Sequence, residues 1–339
     1  MQTPLAQDAI KVEAQLVRCF DLHFAVGVQQ VGVRLWLPAE ATPTQLWFCL
    51  PGGYMSREYF DLRVPGNDSH SLAHAMVGRG FAVAAMDPPG IGSSDDGGDR
   101  YRHTPESVAD AAAEACAQLT AGLRGGDLLD GVPALPIAHT LGLGHSMGAM
   151  FTVVQQQRAG SHAGIALLGF STRGLPEYLP EQVKPLLADR TTLHAQRETM
   201  ARAMFKHMGE MQTGGGDNDL YGRRGAEADG VRALAQCRAP LLPVPAFTSM
   251  LPDNVGPEAA EIAQPVFIGL GSADMAGPPH EAPAAFRASR DIVLHILPET
   301  GHSHFLFPSR AGLFQRLTHW ASGIAAQAAP TSTSNESRP

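Results

Sequence analysis

Six short runs of apolar residues recur along the chain, separated by polar or glycine-containing segments. Continuous apolar runs of this length are typical of strands in a parallel sheet that is covered on both faces. The segments between them show helical spacing, and the clearest begins at Thr104, because Thr followed by Pro is a common helix start. The alternation predicts an α/β fold with a doubly wound, mostly parallel sheet. The runs are 46–50, 81–86, 138–143, 165–170, 266–270 and 292–297.

The segment before these runs follows a different pattern. Apolar and polar residues alternate over 20–24 and again over 31–37. Strict alternation is typical of strands with one buried face and one exposed face. We therefore expect an antiparallel hairpin at one edge of the sheet, near the N-terminus.

One connection is much longer than a crossover between parallel strands requires. It separates the run that ends at 170 from the run that begins at 266. We interpret residues 171–264 as a mostly helical cap inserted into a core formed by 1–170 and 265–325. The remaining segment, 326–339, is rich in Ser, Thr and Pro and predicts a disordered tail.

The clearest element of the predicted cap is a helix over 189–211. Four methionines, Met200, Met204, Met208 and Met211, form a stripe along it at helical spacing. Such a stripe either packs the cap onto the core or lines an adaptable apolar pocket. The candidate pocket residues are Tyr54, His145, Met200, Met204 and Met208.

A Gly-x-Ser-x-Gly motif, Gly144-His145-Ser146-Met147-Gly148, directly follows the apolar run 138–143. A strand that turns sharply into a helix exposes the central serine, and small residues on both sides avoid clashes in that bend. The alternative is an ordinary turn serine flanked by glycines. The strand before the motif and the helical segment after it favour Ser146 as a nucleophile.

A serine hydroxyl needs a neighbouring imidazole to take its proton, and a buried carboxylate to orient that imidazole. Asp274 and His302 follow the last two apolar runs, and the carboxyl ends of parallel strands meet at one edge of a sheet. His304 is an alternative base and Asp253 a distant alternative acid. A metal site at His302 and His304 is a further alternative, which no other ligand cluster supports.

The chain order Ser146, Asp274, His302, each placed after a predicted strand, resembles the α/β-hydrolase family over residues 14–323. The resemblance implies the α/β-hydrolase fold. It also implies that these three residues form a catalytic triad. The serine argues against the haloalkane dehalogenases and epoxide hydrolases of this fold, which use aspartate at that position.

The resemblance also implies an oxyanion hole made of two backbone N–H groups. One belongs to Met147, the residue after the nucleophile. The second lies in the loop 50–55, where we expect Gly53, with Tyr54 as the alternative. The choice stays open by one residue because Pro51 stands where the family has a histidine.

The expected function is hydrolysis of a carboxylic ester through an acyl-enzyme, on an apolar or aromatic small molecule and without a cofactor or metal. The same residues also serve thioesterases, lactonases, carbon–carbon bond hydrolases and acyltransferases, because a fold does not settle its function. A small-molecule receptor on this scaffold is the non-enzymatic alternative. It predicts tight binding without turnover.

Charge and composition exclude several partners. The net charge is −8 and no basic cluster is present, which argues against nucleic acid. The Gly-x-Gly in 87–94 lacks the third glycine of a dinucleotide loop. Residues 1–20 do not read as a secretory signal, and no apolar run is long enough to span a bilayer. We expect a cytoplasmic protein without a membrane partner, and the sequence leaves the oligomeric state open, a homodimer included.

Overall fold

An eight-stranded sheet with the strand order β1-β2-β4-β3-β5-β6-β7-β8 forms the centre of the protein. The structure is a computed structural model that describes residues 17–95, 98–205 and 224–328. The strands are β1 Val17–Val26, β2 Gln29–Pro38, β3 Gln45–Leu50, β4 Ala82–Met86, β5 His139–His145, β6 Gly164–Leu168, β7 Val266–Gly271 and β8 Ile292–Leu297.

The strand directions confirm the predicted fold class. Strands β3 to β8 run parallel to one another, whereas β2 pairs antiparallel with both β1 and β4. Every residue of β3 and β4 is buried, as expected for strands covered on both faces. Strand β1 instead alternates between exposed and more buried residues, because it forms the edge of the sheet. The predicted N-terminal hairpin is therefore β1 and β2.

Helices cover both faces of the sheet. Helix α2 begins with a capping box at Thr104, and α4 begins at Arg190 after Asp189, whose side chain accepts a hydrogen bond from Thr192 N. None of the helices within the described ranges is long and apolar enough to cross a bilayer. The α-helices there are α1 Leu72–Val77, α2 Pro105–Gly125, α3 Met147–Ala159, α4 Arg190–Met204, α5 Ala228–Gln236, α6 Pro243–Met250, α7 Gly256–Glu261 and α8 Arg310–Ala328.

The connection between β6 and β7 contains α4, α5, α6 and α7. It is fixed to the core at several points. Arg197 of α4 forms two hydrogen bonds of 2.8 Å with Glu106 of α2, and Tyr101 Oη donates to Phe205 O at 3.1 Å. Helix α4 ends at Met204, so the last part of the helix predicted over 189–211 lies outside the described residues.

The sheet separates two hydrophobic clusters. One contains residues of α2 and α3, among them Val108 and Phe151. The other contains residues of α1 and α8, among them Leu72 and Trp320. Burial of each such side chain contributes on the order of 1.5–3 kcal/mol, so the two layers hold the strand ends in fixed positions. The loops that leave the carboxyl ends of β5, β7 and β8 are thereby brought together.

A buried histidine in this core predicts a pH-dependent stability. His162 packs its ring on Phe48, with ring centroids 6.3 Å apart, and burial lowers its pKa to about 3. An unfolded chain binds a proton at histidine near pH 6.5. Between about pH 6.5 and 3 the unfolded state therefore holds a proton that the folded state lacks. The contribution of His162 to the free energy of unfolding is therefore fully present above about pH 6.5. It falls by about 1.4 kcal/mol per pH unit below that pH.

Urea unfolding between pH 7.5 and 5 measures this contribution. We expect His162→Gln to lower the number of protons taken up on unfolding by about one. The unfolding free energy of this variant should therefore depend less steeply on pH. His319 is exposed on α8, and His319→Gln should leave the dependence unchanged. Equal slopes for His162→Gln and the unaltered protein would show that the pKa of this ring is not lowered in the folded state.

Candidate active site

Ser146 occupies the turn between β5 and α3, in a backbone conformation that few residues other than glycine adopt. Its φ is 54° and its ψ is −122°. The glycines on either side are required by close packing. A Cβ added at Gly144 would lie 2.4 Å from Ala149 Cα, and one at Gly148 would lie 2.0 Å from Leu50 O. The strand, the helix and the loop after β3 therefore approach one another closely enough to present the serine hydroxyl.

Three side chains from three different loops form a continuous hydrogen-bonded chain. Ser146 Oγ lies 2.9 Å from His302 Nε2, and His302 Nδ1 lies 2.8 Å from Asp274 Oδ1. His302 follows β8 and Asp274 follows β7. The imidazole is thus placed to take the serine proton on one side while its other nitrogen donates to the carboxylate.

Asp274 is held by a second imidazole. His304 Nε2 donates to Asp274 Oδ2 at 2.9 Å, so each carboxylate oxygen has a histidine partner. Burial opposes ionisation of Asp274, but the charges and hydrogen bonds of His302 and His304 outweigh it and hold the pKa of this carboxyl well below its usual range. The carboxylate is therefore ionised at neutral pH.

The alternatives for base and acid lie elsewhere. His304 contacts the acid rather than the serine hydroxyl. Asp253 is exposed between α6 and α7 and pairs with Arg190 at 3.1 Å. Among the described residues, no three histidine, cysteine, aspartate or glutamate side chains are grouped as ligands for a metal ion.

His145 lies behind the site rather than in it. Its ring is buried against Tyr59, with ring centroids 4.5 Å apart, and its Nε2 lies 2.9 Å from the backbone oxygen of His302. Burial, together with the charges of His302 and His304, holds its pKa well below the usual range. A neutral ring that bonds a carbonyl carries its proton on Nε2, so His145 donates to His302 O and fixes the backbone of the base.

The loop after β3 passes directly beside the nucleophile. A Cβ added at Gly52 would lie 3.1 Å from Ser146 Cβ. The N–H of Met147 stands in the first turn of α3, where it has no acceptor within the helix. Gly53 N donates to no other group within 17–95, 98–205 or 224–328, while Tyr54 has a φ of 61°. The loop is thus close enough to supply an N–H group to an oxygen bound at Ser146.

The cavity at Ser146 has a volume of about 30 Å³. Met200 and Met204 are not among its lining residues, because both pack against the hydrophobic cluster of α2 and α3. Met208 and Met211 lie outside the described residues, and neither Tyr54 nor His145 contributes to the lining. The lining residues are Ser146, Met147, Gly169, Phe170, Ser171, Gly174, Leu175, Ser249, Met275, Ala276 and His302.

A model of the alpha/beta hydrolase family matches residues 48–312. The chain belongs to the alpha/beta hydrolase family. This match covers the turn at Ser146 and the loops that carry Asp274 and His302. No curated protein sequence matches this α/β hydrolase significantly.

Solved structures show the same fold at low sequence identity. An esterase from Thermogutta terrifontis is 14% identical with a TM-score of 0.55, covering 91% of this chain and 99% of that chain. The N-acyl homoserine lactonase AidH is 18% identical with a TM-score of 0.53, covering 91% and 98%. The thioesterase domain from the curacin biosynthetic pathway is 14% identical with a TM-score of 0.54, covering 89% and 99%. These likenesses establish the fold of this α/β hydrolase.

Sequence analysis missed several residues that line the cavity of this α/β hydrolase. Phe170, Ser171 and Leu175 follow β6, Met275 follows the acid, and Ser249 ends α6. The first four come just after the carboxyl ends of strands, where α/β sheets bind their ligands, so their position was the available signal. Ser249 had none, because only the packing of the connection between β6 and β7 brings it to the site.

Proposed function

We propose that this protein is a serine hydrolase that cleaves a carboxylic ester through an acyl-enzyme intermediate. The observation that carries the proposal is the hydrogen-bonded chain from Ser146 Oγ through His302 to Asp274, with the serine in a strained turn. Ser146 attacks the carbonyl carbon while His302 takes its proton and then delivers it to the leaving alcohol. Water, activated by the same imidazole, releases the acid and restores the serine.

The tetrahedral intermediate needs donors for its negative oxygen. In this proposal the N–H of Met147 is one donor and that of Gly53 the other. The contact of Gly52 with Ser146 supports this assignment, because it brings the loop to the nucleophile. Tyr54 is the alternative second donor, one residue further along the loop.

An ester is the proposed substrate because the serine mechanism needs an acyl group with a leaving group that accepts a proton from His302. The solved structures with this fold include an esterase, an N-acyl homoserine lactonase and a thioesterase domain. Direct assay of an ester against a matching thioester distinguishes these reactions.

Paired substrates and an active-site label test the proposal. The purified protein should hydrolyse p-nitrophenyl acetate, with a burst of nitrophenol equal to the enzyme concentration if deacylation is slow. A fluorophosphonate should label Ser146, as located by peptide mass mapping. S-phenyl thioacetate serves as the matched thioester. Faster turnover of the thioester, or labelling at another serine, would contradict the proposal.

A further inference from the structure

A second and larger cavity lies beside the one at Ser146. Its volume is about 270 Å³, and Ser171 lines both cavities. Ser171 Oγ donates to Ala276 O at 2.6 Å, which joins the loop after β6 to the loop after β7 at this wall. A substrate group that extends from Ser146 past Ser171 therefore enters the second cavity.

The walls of the second cavity are polar and carry charges of both signs. Arg173 pairs with Glu177, and Arg190 pairs with Asp253 at 3.1 Å. The hydrogen bond to Glu177 raises the pKa of Arg173, and the charge of Glu281 adds to this effect. Each arginine already has a carboxylate partner, so an added anion would find no unpaired cation. Each of these carboxylates likewise lies near an arginine that partly balances its negative charge. An added cation would therefore bind only weakly here.

Hydroxyl groups suit such a wall best, because a hydroxyl both donates to carboxylates and accepts from guanidinium groups. Thr172 lines the cavity, and its hydroxyl has no hydrogen bond to another residue in the described part of the chain. Arg173 packs against Gly277, where an added Cβ would lie 3.0 Å from Arg173 Cδ. The glycine leaves the space that holds this arginine at the cavity wall.

An apolar group would fit the second cavity poorly. It would bury charged and hydroxyl groups without replacing their hydrogen bonds to water, which costs free energy. Within the described ranges, no aromatic ring lines this cavity. The lining residues are Ser171, Thr172, Arg173, Asp253, Pro278, Glu281 and Ala282. An aromatic leaving group therefore has no ring to stack on.

The cavity at Ser146 limits the other half of the substrate. On the same measure its volume is about 30 Å³, against about 270 Å³ for the second cavity, so the smaller group of the ester fits here. Phe170 and Leu175 close it on the apolar side. The acyl group is therefore the smaller part of the ester.

We infer that the substrate is a short-chain ester, such as an acetate, of a neutral alcohol that carries further hydroxyl groups. This inference rests on the proposed function. The acyl group occupies the cavity at Ser146, and the hydroxylated alcohol occupies the cavity lined by Thr172 and Arg173. When the ester C–O bond breaks, the alcohol oxygen takes the proton held by His302 and the alcohol leaves through the second cavity.

Four esters separate the two halves of the inference. Glyceryl monoacetate, propyl acetate and acetylcholine share the acyl group and differ in the alcohol, whereas glyceryl monooctanoate differs from the first only in the acyl chain. The kcat/KM for glyceryl monoacetate should exceed that of each of the others at least about tenfold. A preference for acetylcholine would overturn the neutral class of the alcohol, and a preference for the octanoate would overturn the short acyl group.

Variants test whether the residues of the two cavities cause these preferences. Thr172→Val keeps the side-chain shape and removes the hydroxyl, so the ratio of kcat/KM for glyceryl monoacetate to that for propyl acetate should fall about three- to tenfold. Leu175→Ala should raise the ratio of kcat/KM for glyceryl monobutanoate to that for glyceryl monoacetate about tenfold. Arg158→Met, on the far end of α3, is the control and should change neither ratio.

The outcomes distinguish this inference from the proposed function. If all four esters are hydrolysed without preference, or if Thr172→Val leaves the alcohol ratio unchanged, the second cavity is not the alcohol site although the ester hydrolase stands. If none of the esters is hydrolysed and a fluorophosphonate does not label Ser146, the proposed function itself fails.

Discussion

Replacing Ser146 with alanine is expected to lower kcat for ester hydrolysis by about 10⁴- to 10⁶-fold. The reason is that, of the residues that the structure describes, only Ser146 places a nucleophile within hydrogen-bonding distance of His302 Nε2. Alanine keeps the Cβ and removes only the hydroxyl, so the fold should be retained. Initial rates with p-nitrophenyl acetate measure the loss, and circular dichroism with a thermal melt checks the fold.

Ser249 provides the matched control. It lines the same cavity, and its Oγ donates to Ala246 O rather than to a member of the hydrogen-bonded chain. Ser249→Ala should therefore keep kcat within about threefold, as expected for a change outside the reacting groups. An active Ser146→Ala variant would mean that another residue carries the chemistry, and the proposed mechanism would have to be abandoned.

Replacing His302 with alanine is expected to lower kcat by a similar factor, about 10⁴-fold or more. Ser146 and His302 act as one unit in forming the acyl-enzyme, so the double variant with Ser146→Ala should be little worse than either single variant. The rates of the three variants on one ester measure this lack of additivity. Additive losses would show that Ser146 and His302 act independently.

His304 offers a contrast within the same loop. It donates to Asp274 but does not contact the serine, so its removal should loosen the carboxylate without removing the base. We expect His304→Asn to lower kcat only about tenfold, in the range of one lost hydrogen bond to a charged group. The opposite ranking, with His304→Asn inactive and His302→Ala active, would exchange the roles of the two histidines.

The core of the fold was predictable because its signals are local. Continuous apolar runs mark strands that are buried on both faces, and each predicted run contains most of one strand between β3 and β8. The turn at Ser146 was also predictable, since only glycine fits the contacts of residues 144 and 148 with the helix and the neighbouring loop. Chain order then placed Asp274 and His302 at the same edge of the sheet.

The substrate cavities were not predictable, because their shape depends on contacts between distant segments. The methionine stripe is one example. Its spacing fits a helix with an apolar face, but spacing does not say which surface that face covers, and Met200 and Met204 face the core. The second partner of Asp274 is another example. Two histidines separated by one residue are equivalent candidates in sequence, and only the loop geometry sends one to the serine and the other to the acid.

The insertion between β6 and β7 supplies part of the wall of both cavities but none of the three hydrogen-bonded residues. Ser146, Asp274 and His302 all lie outside residues 171–264, whereas Thr172, Arg173, Leu175 and Ser249 lie within them. Mutations in this one contiguous stretch can therefore alter substrate choice while the reacting groups keep their geometry. A chimera that exchanges 171–264 for the corresponding stretch of another hydrolase should therefore shift selectivity part of the way towards the donor's, because the walls formed by residues 169–170 and 275–282 stay in place.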